Sequence, residues 1–221
     1  MMKKILKLQK KNIINDIKII DKPDYISWDE ITELLHNSYQ EREESGLHFA
    51  ASKSTSEINA KKLEYGRCFV ALDGDKIVGM IYLLTPPWPF SINKNGKKKW
   101  YCDNNGGVLN NLAVRSDYKG KGIGKKLLNH SIKAAKDMQL ISLILDTSCE
   151  LKGLNKFYDN MGFKKVDFIS WETTNYYSIV RKLFLSKRIP RFYRIIRYYL
   201  SLINTILLVD KNGKYRNKNG I

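Results

Sequence analysis

The stretch YKGKGIGKKLLNHSIKAAKDM, residues 118–138, sets three glycines and two lysines into six positions and then continues with helical periodicity. Alternating glycines let a backbone approach an anion with no Cβ in the way. The first turn of a helix leaves about four N–H groups without partners, at the positive end of the helix dipole. Lys119, Lys121, Lys125 and Lys126 raise the local potential further. The chemistry on offer is phosphate binding by main-chain donors, with Gly120, Gly122, Ile123 and Gly124 supplying the backbone. Two common phosphate loops do not fit. G-x-x-x-x-G-K-[ST] fails because Lys119 holds the first glycine position and Lys126 follows Gly124-Lys125. G-x-G-x-x-G fails because Lys125 stands where the third glycine belongs.

Other reactive side chains form no constellation in the sequence. Cys68, Cys102 and Cys149 are odd in number and widely spaced, without a C-x-x-C pair, which argues against a disulfide framework and against zinc. His36, His48 and His130 show no metal-ligand spacing, so no metal is expected.

The elements that position the glycine loop follow from periodicity and turn chemistry. DIKII is a short strand. A helix follows, capped by Ser27, with Glu30 completing a capping box and Gly46 ending it. STSEINAKKLEYG predicts a second, shorter helix closing at Gly66. Two β-rich runs flank Asp73-Gly74-Asp75 and predict a hairpin. Residues 86–99, with three prolines and an Asn95-Gly96 turn signal, read as a long loop or protruding hairpin. GGVLNNLAV is the strand before the loop. The helix after it carries Ile123, Leu127, Leu128, Ile132, Ala135 and Met138 on one face. ISLILDT is an apolar run that predicts a buried strand. GLNKFYDNMGF is a short helix closing at Gly162, and KKVDFIS and NYYSIVRKL are a final strand pair. The order β-α-α-β-β-β-α-β-α-β-β predicts an α/β (mixed α+β) sheet with helices on both faces.

Composition bounds the rest. The 221 residues suit one domain with an appendage, and 43% hydrophobic with 28% charged residues is a globular balance. The net charge of +17 favours phosphate-bearing ligands, anionic membrane or nucleic acid, and equally reflects a general preference for Lys, Asn and Ile. No RNA- or DNA-reading motif is present, so nucleic acid is not an expected partner. The start has no 7–15 residue apolar core or cleavage site, and no apolar run approaches the ~18 residues that span a bilayer. The expected location is cytoplasmic.

LAVRSDYKGKGIGKKLL resembles the signature of the GNAT superfamily of N-acetyltransferases, [QR]-x-x-G-x-[GA] after a strand, here Lys119-x-x-Gly122-x-Gly124. LDTSCELKGLNKFYDNMGFKKVDF is similar to the same family's second motif, with Asn155, Phe157, Tyr158 and Gly162-Phe163 in register. The similarity covers about residues 16–184. It implies the acyl-CoA N-acyltransferase fold, acetyl-CoA as acyl donor, and a domain at 16–185 between a basic segment at 1–15 and a tail at 186–221.

By this resemblance the loop from Lys119 to Lys125 binds the pyrophosphate of coenzyme A. Leu112, Ala113 and Val114 pair with the pantetheine arm as an added strand would, in a gap where this strand splays from residues 141–147. A backbone N–H near Leu112 acts as oxyanion donor, Tyr158 protonates the departing thiolate, and Asn155 hydrogen-bonds the cofactor. Two departures stand out. Lysine replaces the usual Gln or Arg at 119, keeping the charge without the planar fork. Where many relatives carry a glutamate before the loop, this chain has Asn110 and Asn111, which leaves Glu41, Glu43, Glu44, His48 or ordered water to take a proton.

The insertion at 86–99, with Trp88 and Phe90 in it and Trp100 beside it, is expected to wall the acceptor site. It lacks the acids that a protein tail would want, which points to a small-molecule amine. A loose similarity of layout suggests an amino sugar of envelope polysaccharide synthesis. A protein or peptide amine, or a non-catalytic acetyl-CoA-binding module, remain the alternatives. The tail is expected to form a basic amphipathic helix: at helical spacing Arg191, Arg194, Arg197, Ser201 and Asn204 make one polar stripe, and nine Lys and Arg against Asp210 give the segment +8. Such a helix suits an anionic membrane surface, with peripheral attachment. It suits equally well docking on the domain or on a second copy as a homodimer.

Overall fold

Period-two alternation decides which side of the sheet each strand residue serves. In residues 66–73, Phe69 and Ala71 face one core, while Cys68, Val70 and Leu72 face another. The computed structural model, which describes residues 17–85 and 103–185, shows the elements that fill these two cores. They are β1 (Lys18–Asp21), α1 (Trp28–Glu43), α2 (Ser56–Lys61), β2 (Gly66–Asp73), β3 (Lys76–Leu84), β4 (Gly106–Val114), α3 (Ile123–Asp137), β5 (Ser142–Ser148), α4 (Lys152–Asn160), β6 (Lys164–Ser170) and β7 (Tyr177–Phe184). The predicted order and mixed α/β class are recovered in full. The insertion at 86–99, the segment at 1–15 and the tail at 186–221 lie outside the described residues.

The seven strands run β1-β2-β3-β4-β5-β7-β6 across one sheet. Only β4 and β5 pair in parallel, and α3 is the crossover between them. On one face, Ile31, Leu34 and Leu35 of α1 pack on Val70, Leu72, Met80 and Tyr82. On the other, Ile123, Leu127 and Leu128 of α3 pack on Phe69, Ala71, Ile81 and Leu83. Each fully buried leucine or isoleucine of this kind contributes about 1.5–3 kcal/mol. Gly79 allows the close approach of α3: a Cβ there would sit 2.9 Å from the Ala113 carbonyl oxygen and 3.1 Å from Leu127.

Local signals act as expected at the helix starts. The Ser27 hydroxyl accepts from the Glu30 N–H at 3.2 Å, and Glu30 accepts from the Ser27 N–H at 2.8 Å. Two details differ from the sequence reading. The second helix is α-helical only to Lys61 and then tightens into a 3-10 turn, Lys62–Tyr65; Gly66 caps that turn, its N–H donating to the Leu63 carbonyl, and also opens β2. Met138, expected on the buried face of α3, lies just past its end and is 38% exposed, while Ser131 and Ala134 take buried places. One buried ion pair ties the entry of β4 to β7. The Lys182 ammonium, with no exposed side-chain surface, lies 2.8 Å from the Asp103 carboxylate, which also accepts from the Ser142 hydroxyl.

Candidate functional site

The glycine loop joins β4 to α3 through a short 3-10 turn, Ser116–Tyr118. Gly120 and Gly122 both adopt left-handed backbone, with φ of 72° and 80°, a region costly for residues with a Cβ. A Cβ built on either would meet no protein atom within 4 Å, so the space above the loop is open. α3 begins at Gly122 without a side-chain cap, and its first bond runs from the Lys126 N–H to the Gly122 carbonyl at 3.0 Å. Helix geometry then leaves the N–H groups of Ile123, Gly124 and Lys125 directed out of the helix start.

The loop is braced from below. Tyr118 donates to the Asp73 carboxylate at 2.6 Å, and the Lys121 ammonium lies 4.3 Å from the Tyr118 ring centre. The bond to Asp73 is the main reason the Tyr118 hydroxyl is pushed up to about 12. Outward N–H donors, exposed Lys119 and Lys125 and an open surface fit a pyrophosphate.

β4 and β5 pair only at Gly106–Ser142, Gly107–Leu143 and Val108–Ile144. β4 continues for six residues and β5 for four without pairing to each other, so the two strands splay. A bulge helps β4 diverge. Its register with β3 shifts between Met80–Ala113 and Tyr82–Asn110, and Asn111 takes a left-handed φ of 53°. The splay opens a cavity of about 330 Å³, lined by Asn110, Asn111 and Leu112 from β4 and Leu145, Asp146 and Thr147 from β5. Ala113 and Val114 carry β4 on toward the glycine loop, and the Val114 carbonyl accepts from Ser38 at 3.2 Å.

Tyr158 projects from α4 into the lining of this cavity. It is 6% exposed and packs on Phe157 and Phe163, at ring separations of 5.2 and 6.0 Å. Burial, reinforced by the fields of Tyr39 and Asp146, holds its hydroxyl protonated far above the ordinary phenol range. A neutral phenol at the splay can give a proton to a departing thiolate. Asn155 sits one turn earlier and is buried. Its amide donates to the Ser148 and Cys149 carbonyls at 2.9 and 3.2 Å, and its oxygen accepts from Arg181 at 2.8 Å. These bonds lock α4 to the end of β5 and to β7. Donation from that amide to a cofactor would replace one of them.

The far side of the cavity is walled by Tyr39 and Arg42 at the end of α1, Phe49 in the following segment, and Trp171, Thr174 and Tyr176 between β6 and β7. Phe49 packs at a tilt against Tyr39 and Tyr176, with ring centres 5.2 and 5.1 Å away. Asn175 clamps the two segments, accepting from the His48 N–H at 2.9 Å and donating to the Gly46 carbonyl at 2.7 Å.

Of the expected proton acceptors, Glu43 is occupied in holding this segment. It accepts from the Ser52 hydroxyl and the Phe49 N–H, and the Ser52 bond is the main reason its carboxyl is held below the usual range. Glu44 lines a separate groove with Glu30 and Glu33. His48 contributes its backbone to the clamp but does not line the cavity, and the side chain of Glu41 lies outside the described set. The carboxylate that does line the cavity is Asp146, on β5, whose oxygen accepts from Trp171 Nε1 at 3.0 Å. Sequence reading passed over it because it sits inside an apolar run. The signal was a single acid, and the one exposed residue, in an otherwise buried strand.

A splayed parallel strand pair, a glycine loop on a helix start and a buried tyrosine at the gap are together in one place, the layout that the resemblance leads one to expect. The profile of the Acetyltransferase (GNAT) family matches residues 28–163, more than half of the chain, and the chain belongs to that family. N-acetyltransferase 8F1 of Rattus norvegicus is 30% identical over 101 residues, 46% of this chain and 41% of that protein. The chain therefore spans about two fifths of the length of the first curated relatives it matches. Among solved structures, the ribosomal-protein-S18-alanine N-acetyltransferase from Escherichia coli superposes with a TM-score of 0.58 at 14% identity, covering 79% of this chain and 97% of that one. A GNAT family acetyltransferase from Elizabethkingia anophelis with acetyl-CoA bound gives 0.51 at 19% identity, covering 76% and 98%. At these identities the likeness is one of fold. Among the described residues no helix is long and apolar enough to cross a membrane, and no group of three or more His, Cys, Asp or Glu is placed to hold a metal ion.

Proposed function

We propose that this protein is an acetyl-CoA-dependent N-acetyltransferase whose acceptor is the amine of a small molecule, an amino sugar being the favoured class. The observation that carries the reading is the cavity opened where β4 and β5 stop pairing after Val108 and Ile144, with Tyr158 in its wall. Acetyl-CoA bound there supplies an activated acetyl group. The loop Lys119–Gly120–Lys121–Gly122–Ile123–Gly124–Lys125 holds the pyrophosphate through its N–H groups. The edge at Leu112, Ala113 and Val114 receives the pantetheine amides. As the amine nitrogen bonds to the acetyl carbon and the carbon–sulfur bond breaks, Tyr158 gives its proton to the sulfur, and the proton that the amine loses passes through ordered water and restores the Tyr158 hydroxyl.

The small-molecule assignment is supported by the aromatic wall of the cavity and by the charge of +17, which repels a polycationic protein tail. Pyranose rings present apolar faces suited to Trp171 and Tyr176. A panel of amino sugars, simple amines and peptides, assayed for acceptor-dependent release of free thiol, tests this reading. Turnover with amino sugars supports it, and turnover confined to peptides replaces it with a protein-amine acceptor. The tail at 186–221 belongs to the same proposal as a segment that holds the enzyme at an anionic membrane surface.

A further inference from the structure

The glycines at 120, 122 and 124 give the loop after β4 much conformational freedom to lose when it closes on an anion. What holds it beforehand comes from the turn of the β2–β3 hairpin. The 3-10 turn Ser116–Tyr118 leads into the loop, and its last two side chains reach that turn, which Asp73 and Lys76 flank. The Asp117–Lys76 pair, 3.5 Å apart, is about half exposed on both sides and holds little. The Tyr118 bond is of another kind. Its ring is half-buried against the main core, and its hydroxyl donates to the Asp73 carboxylate at 2.6 Å. A hydrogen bond to a carboxylate is roughly twice as strong as a neutral one. The Lys121 ammonium, from the middle of the loop, lies 4.3 Å from the centre of the same ring, so one side chain touches both the hairpin and the loop.

Resting on the assignment of the loop to the pyrophosphate, we infer that Tyr118 is a positioning residue for the acyl donor, latching the glycine loop to Asp73 in the form that receives phosphate. It stands next to Lys119, where the loop begins, so the backbone that leaves the latch is the backbone that carries the donors. The anchor is stiff. Asp73 pairs with Lys76 across a turn in which Gly74 has a φ of 60°, and β2 and β3 stay paired from there to Gly66 and Leu84. A loop already fixed in its bound form loses less freedom on binding, and the difference appears as affinity. Neither Tyr118 nor Asp73 lines the cavity between β4 and β5. The latch therefore acts on the phosphate end of the donor and not on transfer at Tyr158.

The test uses the full-length protein and two probes, acetyl-CoA and S-acetylpantetheine, which keeps the arm and lacks the pyrophosphate and nucleotide. Calorimetry follows the first and ligand-observed NMR the second, below the melting transition of each variant. Tyr118→Phe, which keeps the ring beside Lys121, should bind acetyl-CoA roughly tenfold more weakly and S-acetylpantetheine as wild type does. In an Asp73→Ala background the same substitution should have no further effect, because the bond is already gone, and any effect of the Asp73 charge itself cancels in that comparison. Asp73→Asn, whose side-chain oxygen still accepts, should stay within about threefold of wild type. Wild-type affinity for acetyl-CoA in Tyr118→Phe, an equal loss for S-acetylpantetheine, or the same loss in the Asp73→Ala background overturns the latch and leaves the loop as the phosphate site. Wild type that binds the two probes with equal affinity overturns the loop assignment itself, and the latch with it.

Discussion

Gly122 gives the sharpest handle on the glycine loop. Its φ of 80° is left-handed, and a Cβ there meets nothing within 4 Å. Asn and Asp both visit this region at low cost, so Gly122→Asn and Gly122→Asp should fold alike and differ chiefly in charge. An Asp carboxylate about 5 Å from a phosphate oxygen, at an effective dielectric near 20, is repelled by about 3 kcal/mol. That would weaken binding by roughly 10²-fold. Gly122 is on the exposed rim of the loop, so counterions reduce the repulsion and the effect grows as salt is lowered. Isothermal titration with acetyl-CoA should place Gly122→Asn within about tenfold of wild type and Gly122→Asp roughly 30- to 100-fold weaker than Gly122→Asn. Both variants should melt within a few degrees of each other. Equal affinities for the two variants, or wild-type affinity for Gly122→Asp, would refute the assignment of the loop to the pyrophosphate.

Tyr158→Phe should lower kcat by roughly 10²-fold and leave the acetyl-CoA dissociation constant unchanged; an unchanged kcat under chemistry-limited conditions would reduce Tyr158 to packing. Burial pulls the Lys62 ammonium down from 10.5 to about 8, so between those values the unfolded chain binds a proton that the fold has shed. Stability contributed at this site therefore rises as pH climbs from about 8 to about 10.5 and is absent below, and melts over that range should show Lys62→Met flattening the rise; parallel curves would contradict it. The full chain should co-sediment with anionic vesicles at low salt, and a version ending at Leu185 should not, each basic residue contributing about 1 kcal/mol at most. Equal sedimentation would remove the membrane role, and a truncated protein that turns monomeric or insoluble would favour docking of the tail.

Local chemistry made the frame legible. Ser27 with Glu30, the Asp73-Gly74-Asp75 turn and the spacing of Gly120, Gly122 and Gly124 each announce an element from within a few residues of sequence. The acceptor wall has no such announcement. Tyr39, Arg42, Phe49, Asp146, Trp171 and Tyr176 come from three separated segments and meet only after β5, β6 and β7 pair and Asn175 clamps the segment after α1. Asp146 was hidden for a further reason, because in ISLILDT the apolar neighbours dominate the pattern. Asn155 shows the opposite limit. Its place in a motif was readable, but the motif does not reveal that its amide is bonded to Ser148, Cys149 and Arg181. The end of β4–β5 pairing at Val108 is likewise a property of two strands together, which neither strand's residues state alone.

The central claim is N-acetyl transfer from acetyl-CoA, and one measurement reaches it directly. The full-length protein is incubated with acetyl-CoA carrying an isotopically labelled acetyl group and an amino sugar, and the products are resolved by mass spectrometry and NMR. The account predicts the label in an amide on the sugar nitrogen, with an equal amount of free coenzyme A thiol. Acetyl-CoA that stays intact beside the amine, or is hydrolysed to labelled acetate without amide, would contradict it.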